Sequence, residues 1–309
     1  MRTIFITCSD ILNHKVERLQ LRETISNYFQ LMKPGIMVLL VLEAITAMVV
    51  AAGRSVQPLA ILYLAVAGIL GSGGSAALNQ YLERGKDALM SRTDGRPVAS
   101  SKIEPKNALT FGVVSLSLGL IVSYLVFNVM TTFMIFLGAV SYIFLYTLYL
   151  KPRTKWNIVI GGVAGVFPAL AGWAAVTGLV QWPAVYIGML VFLWTPPHFW
   201  GLSMKFKEDY AKTGYPMLPV VKSEKQVIHW IVYSTIPLFV FSVLPYLIPT
   251  LGNFDIAYYV IAGVMVAAFI VVDVKMIRNP TIDNGFRAFL ISLPYLFVLF
   301  GAMIVSAII

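Results

Sequence analysis

The sequence predicts an all-α, polytopic membrane protein of nine transmembrane helices, on three observations. Hydrophobic residues make up 59% of the 309 positions and charged residues 12%, with a mean hydropathy of +0.81; a water-exposed chain of this length is far more polar. Apolar runs near the ~20 residues needed to cross a bilayer recur along the chain. Nearly every lysine and arginine falls in alternate connections between those runs.

The runs lie at 35–52, 58–78, 108–128, 130–150, 158–178, 181–204, 228–250, 256–277 and 285–308. The first can start within Lys33-Pro34-Gly35, because a proline at a helix N-terminus has no amide to lose. Residues 1–34 form an N-terminal arm, with an interfacial helix expected over 11–29, and 35–308 form the transmembrane domain. The arm is no cleavable export signal: Lys15, Arg18 and Arg22 alternate with Asp10, Glu17 and Glu23, and no long apolar run precedes Lys33.

With nine spans, residues 1–34, 79–107, 151–157, 205–227 and 278–284 share one side of the membrane. Arg54 is the one cation on the other side. The positive-inside rule then puts the N-terminus and the long loops in the cytoplasm, the C-terminus outside, and the chain in the cell membrane. The net charge of +9 is a topological asymmetry and implies no nucleic-acid partner. One cysteine, Cys8, excludes an internal disulfide and any four-cysteine metal site.

Topology does not require acids to be mixed among those cations at helical spacing, yet they are. Asn79, Glu83 and Asp87 stand at i, i+4 and i+8, so a helix continuing out of the second span stacks them along one face. Two carboxylates and an amide oxygen suit Mg²⁺, which is usually held by one or two carboxylates together with substrate phosphates. Arg92 and Arg96 follow at the same interval, offering bidentate donors to phosphate. The run before Asn79 contains Gly71, Gly73, Gly74 and Ala76-Ala77, a small-residue face that lets helices approach closely. The charged column is therefore expected to border a cavity between helices.

Other polar groups lie on the same side. Lys151, Arg153 and Lys155 join the fourth and fifth spans and can close over a diphosphate. Pro168 is expected to kink the fifth span. The sixth ends in Trp194-Thr195-Pro196-Pro197-His198-Phe199-Trp200, where adjacent prolines are expected to break backbone hydrogen bonding and favour an opening. His198, among aromatics, is either a packing residue or a contact for a large planar substrate. Asp209, beside Glu208, is the second expected metal site, with Tyr210 as a hydrogen-bond donor. Glu43 and Asp273 are ionisable groups inside apolar runs, expensive unless paired; Asp273 is expected to pair with Lys275 or Arg278.

Two acidic motifs on one membrane face, flanked by cations and opening into an apolar bundle, point to a substrate with a diphosphate head and a hydrocarbon tail. Ionisation of the carbon–oxygen bond would leave an allylic cation shielded from water and ready for an electron-rich acceptor. A transporter with orienting basic loops is the reading from a different class. Metal-dependent diphosphate release separates the two.

The chain resembles the intramembrane UbiA-type prenyltransferase superfamily, and within it the protohaem IX farnesyltransferases (haem O synthases). The resemblance runs from Tyr28 onward. It rests on Asn79…Glu83…Asp87-Ala88-Leu89-Met90-Ser91-Arg92-Thr93…Arg96-Pro97, on Tyr146-Thr147…Lys151…Thr154…Asn157 with Gly161-Gly162…Gly165, on Gly172-Trp173, and on Thr195-Pro196-Pro197-His198 followed by Asp209-Tyr210 and Gly214-Tyr215-Pro216-Met217. It implies nine helices around a central cavity, Mg²⁺, and transfer of farnesyl from farnesyl diphosphate to a vinyl group of haem B, with hydration, to give haem O. In that reading Asn79, Glu83, Asp87 and Asp209 are the catalytic and metal-organising residues. Arg92, Arg96, Lys151, Arg153, Lys205 and Tyr210 bind substrate, and His198 contacts haem. A haem A synthase or another haem-handling membrane protein is the partner implied.

The sequence departs from the superfamily pattern in three places. Glu83 stands where aspartate is common, Gly35 where an arginine often follows the proline, and Lys205 where other branches carry an aspartate four residues before Asp209. Prenylation of an aromatic or quinone precursor is the alternative within the enzyme class, against which Pro196-Pro197-His198 argues.

Overall fold

The computed structural model describes residues 8–309, with side chains from Arg18 onward. The described residues are all-helical: α1 (Cys8–Leu31), α2 (Pro34–Ala52), α3 (Pro58–Asp87), α4 (Pro105–Val126), α5 (Val129–Leu150), α6 (Asn157–Thr177), α7 (Trp182–Lys205), α8 (Lys207–Thr213), α9 (Glu224–Tyr246), α10 (Ile256–Arg278) and α11 (Ile282–Ile308). Among them eight helices, α2 to α6 and α9 to α11, are long and apolar enough to cross a membrane. The stretch expected as the sixth span is the 24-residue α7, which does not belong to those eight. Its tryptophans, prolines and histidine make it less apolar, and much of it is buried against α9 and α11.

Proline sets several helix starts: Pro34, Pro58 and Pro105 each occupy a first turn, where the missing amide costs nothing. The second apolar run does not stop at residue 78. α3 continues for 30 residues to Asp87, carrying the polar column out of the bundle on one rigid element.

The small-residue face of α3 packs as its composition requires. A Cβ on Gly74 would stand 2.6 Å from the Leu116 nitrogen and 2.8 Å from the Gly112 oxygen, and one on Gly119 would stand 2.8 Å from the Gly71 nitrogen. α3 and α4 thus touch backbone to backbone, and any side chain at these glycines would force the helices apart. Gly172 of α6 lies equally tight against the Ala44 carbonyl of α2.

Two irregular segments shape the bundle. The second half of α5, Ser141–Leu150, is π-helical, with the Lys151 amide donating to Tyr146 O (2.9 Å); such widened turns often mark functional positions. In α6 the turn Gly162–Val166 tightens to 3₁₀ just ahead of Pro168, so the helix is irregular in the turn before the proline. α7 corrects the other proline expectation. It runs through Pro196 and Pro197 without interruption, both rings are buried, and these residues make no opening.

Asp273 corrects a third expectation. Its Oδ2 accepts a hydrogen bond from Thr235 of α9 (2.7 Å) and no ion pair joins it to Lys275 or Arg278 among the described residues. Both neighbours lie elsewhere around α10, whereas Thr235 faces Asp273 across a helix contact. Glu43 is fully buried in α2 with neither carboxylate oxygen hydrogen-bonded.

Candidate active site

α3 holds Asn79, Glu83 and Asp87 on one face, at 1%, 4% and 4% exposure. Burying carboxylates at this level is costly unless they are paired; Asn79 and Glu83 have found partners from distant parts of the chain, and Asp87 one from the loop just beyond it. Glu83 Oε1 accepts from the Lys151 ammonium in a short ion pair and from the Tyr215 hydroxyl (3.0 Å), and its Oε2 accepts from Asn79 Nδ2 (3.0 Å). The Asn79 amide also donates to Thr147 Oγ1 (2.9 Å), while its Oδ1 accepts from Lys33 Nζ. Lys33 Nζ donates in turn to the Tyr142 hydroxyl (3.2 Å). Both oxygens of Asp87 accept from Arg96 Nη1, at 2.7 and 2.8 Å.

The π-helical turn brings Tyr142, Thr147 and Lys151 to the same face of α5, opposite the column. Lys33 reaches it from a strained backbone: φ is 52° and ψ 65° at a residue with a β-carbon. That left-handed conformation is uncommon outside glycine and persists only when its surroundings hold it. Here the following Pro34 and the contacts of the ammonium fix it. Burial and the nearby Arg96 guanidinium pull the Lys33 pKa well below its ordinary value.

The segment after α7 closes onto this column. Ser91 donates to Asp209 Oδ2 (2.6 Å), Arg92 donates to the Tyr210 hydroxyl (3.3 Å), and Lys86 donates to the Thr213 carbonyl (2.6 Å). Tyr215 lies beneath two ammonium groups, with Lys151 Nζ 4.8 Å and Lys86 Nζ 5.7 Å from its ring centre. Burial and the Glu83 carboxylate push the Tyr215 phenol pKa up, so it stays a donor. The Ser91 hydrogen bond holds the Asp209 carboxyl below its ordinary value, and Lys212 stands 3.7 Å away.

Asn79, Glu83 and Lys151 thus form one buried cluster and Asp87 with Arg96 a second on the same face of α3, with Asp209 and Tyr210 docked on the following loop through Ser91 and Arg92. Arg153 and Lys205 stand outside. Arg153 is exposed and donates to the carbonyls of Leu148 and Tyr149 at 2.8 and 2.9 Å, satisfying the end of its own helix. Lys205 is exposed over the Phe286 ring at 4.3 Å. His198 sits apart in α7, stacked on Trp194 at 3.9 Å and bonded through Nδ1 to Ser292 Oγ (2.7 Å). Sequence reasoning missed Lys33, Tyr142, Thr147 and Tyr215 as site residues. Lys33 carried a local signal as a lone cation directly before a proline-started apolar run, Thr147 and Tyr215 lay in the segments that carry the family resemblance without a role, and Tyr142 carried none.

Among the described residues no three His, Cys, Asp or Glu side chains gather closely enough to hold a metal alone. The donors present are hard oxygens of Glu83, Asp87 and Asn79, which fit Mg²⁺ as a shared ligand of protein and phosphate.

Buried oxygen ligands ringed by Lys33, Lys86, Arg92, Arg96 and Lys151 stand at one end of an apolar helix bundle of an integral-membrane protein, an arrangement suited to an anionic head group on a lipophilic molecule. The chain belongs to the UbiA prenyltransferase family, whose sequence pattern matches residues 40–301. It is 38% identical over 282 residues to the protoheme IX farnesyltransferase of Metallosphaera sedula, covering 91% of this chain and 96% of that protein. With the protoheme IX farnesyltransferase of Symbiobacterium thermophilum it shares 39% identity over 293 residues, 94% and 97% of the two chains. The fold matches a solved digeranylgeranylglyceryl phosphate synthase with a TM-score of 0.74 at 19% identity, over 93% of this chain and 99% of that one. It also matches a UbiA homologue from Archaeoglobus fulgidus bound to GPP and Mg²⁺, with a TM-score of 0.67 at 15% identity, over 90% and 99%.

Proposed function

We propose that this chain transfers farnesyl from farnesyl diphosphate to a vinyl group of haem B and that water adds to give haem O, with release of diphosphate and a proton. The reading rests on membership of the family, on relatives named for this reaction that match over nearly their whole length, and on one observation of the site. That observation is the buried Glu83 network, in which Asn79 and Glu83 of α3 meet two lysines and a tyrosine from three other segments.

Asn79, Glu83 and Asp87, with Asp209 across the loop contact, would hold Mg²⁺, which when bound offsets the charge that grows on the diphosphate as it leaves. Lys33, Arg92, Arg96 and Lys151 bind phosphate oxygens. For Arg96 and Lys151 this means exchanging an internal carboxylate for a substrate oxygen, so substrate entry redistributes charge that is already in place and little reorganisation is needed. Tyr215 keeps its proton, and the Tyr210 and Tyr215 hydroxyls are placed to donate to oxygens at the mouth. The apolar bundle keeps water from the allylic cation formed when the carbon–oxygen bond breaks. The vinyl group then attacks that cation, and hydroxide derived from water completes the product. His198, stacked on Trp194 with the Phe289 ring tilted against it, offers an aromatic wall for the macrocycle.

In this reading α7 is a ninth spanning helix and the nine surround a central cavity. The basic end faces the cytoplasm, the C-terminus lies outside the cell membrane, and the product passes to a haem-handling membrane protein such as a haem A synthase. The test is mass detection of haem O after incubation of the purified protein with haem B, farnesyl diphosphate and Mg²⁺. The expected result is product that disappears with EDTA. Product unchanged by EDTA would overturn the metal assignment, and prenylation of an aromatic acid in place of haem would overturn the acceptor.

A further inference from the structure

A groove of about 260 Å³ runs along the outside of the bundle between α3, α4 and α5. Leu78, Leu82, Leu109, Leu116, Phe136 and Phe144 line it, with Tyr81 and Leu148 toward the basic end. It is not the diphosphate site. At 100° per residue, the α3 positions 78, 81 and 82 centre about 150° around the helix from 79, 83 and 87. Its volume is below the ~300–1,000 Å³ of pockets that enclose a whole small molecule, so it admits a chain and excludes a macrocycle.

Two exposed cations are anchored on residues that line it, and helical spacing puts a third on the face of a lining residue of α4. The Arg84 guanidinium lies 4.7 Å from the Tyr81 ring centre and donates to Tyr81 O at 2.6 Å. Arg153 is anchored on the carbonyls of Leu148 and Tyr149. Lys106 precedes Leu109 by three residues on the same face of α4, and helical side chains lean toward the N-terminus, here the basic end. None of the three is in an ion pair among the described residues. Topology accounts for basic residues at this end of the bundle, but not for two of them being anchored on residues that line one apolar groove.

We propose that this groove binds an acyl chain of an anionic phospholipid whose headgroup phosphate is held by Arg84, Lys106 and Arg153. Each cation near a membrane surface favours an anionic lipid by ~1 kcal/mol, and guanidinium pairs with phosphate through two hydrogen bonds at once. A second copy of the chain fits less well, because a two-fold contact here would bring the same three cations toward their own images. The lipid would brace α3 from behind, on the side opposite its acids. This assignment does not rest on the proposed reaction.

The test is native mass spectrometry of the full-length protein, titrated in detergent with phosphatidylglycerol or with phosphatidylcholine of the same chains. The expected result is retention of phosphatidylglycerol at about tenfold lower lipid concentration or better. The preference should vanish in the Arg84→Gln/Lys106→Gln/Arg153→Gln variant, whose changes are all at exposed positions. Leu148→Trp, which narrows the groove at an exposed site, should weaken retention of phosphatidylglycerol while leaving the three cations. Equal retention of the two lipids by the unmodified protein, a preference that survives the triple substitution, or a dimer mass lost on Leu148→Trp would each overturn the proposal.

Discussion

The two acid-bearing segments are neutralised in different ways. On α3 each acid has its own cation, Lys151 on Glu83 from 68 residues away and Arg96 on Asp87 from nine, and Lys33 holds the Asn79 amide one turn before Glu83. On α8 Asp209 is held by the neutral Ser91 hydroxyl, with only the exposed Lys212 nearby at 3.7 Å. The first segment is a charge-balanced core on a long rigid helix, and the second is a seven-residue helix whose carboxylate takes one short hydrogen bond from a neutral hydroxyl. A metal arriving at α3 must displace internal partners, whereas Asp209 can accept one with little lost. The first segment should therefore dominate both stability and turnover, and the second should adjust affinity.

The largest effect expected is on turnover. Asp87→Asn should cut haem O formation by about 10²- to 10³-fold, the scale on which loss of one preorganised charge-stabilising group falls, with an unchanged helical spectrum. Asp209→Asn should cost about tenfold, chiefly in the KM for farnesyl diphosphate. Steady-state assays on both would break the comparison if the two losses were equal, and normal turnover by well-folded Asp87→Asn protein would remove the metal role of the column.

Stability should show the next effect. Lys151→Ala leaves Glu83 buried without its cation and should cost about 3 kcal/mol, since orphaning one partner of a buried pair is more damaging than replacing both. The double variant Glu83→Gln/Lys151→Met should recover much of that loss in thermal unfolding in detergent. An equal loss in both proteins would mean that the pair itself carries no special weight.

The smallest effect is a pH dependence at the second segment. Asp209 is held below the ordinary aspartate value of 3.8, so its charged form contributes stability that is present above the unfolded pKa and lost as pH falls through the lower folded one. Ser91→Ala removes the main cause of that shift and should shrink this contribution. Melting temperatures followed from neutral pH down through the carboxylate range should converge for the two proteins at the acid end. Curves separated by a constant gap at every pH would place the role of Ser91 in packing alone.

The polar column is legible in the amino-acid sequence because its logic is local. Residues four apart on a helix share a face, and Asn79, Glu83 and Asp87 lie together wherever that helix goes. The close approach of α3 and α4 is legible for the same reason, from Gly71 and Gly74. The partners are not: Lys33 lies 46 residues from Asn79, and Tyr215 lies 132 from Glu83. Arg153 and Lys205 are legible as basic residues, but their direction is not. One caps its own helix and the other stacks on Phe286.

By itself the sequence determined a membrane-embedded helical bundle, the end of it that carries charge, and the row of oxygen ligands there, because hydropathy and helical period are properties of neighbouring residues. Which cation neutralises which acid was decided only by the tertiary structure. Pairing depends on distance through space, and the short distance between Glu83 and Lys151 exists only once α3 and the end of α5 have packed, with 68 residues of chain between them.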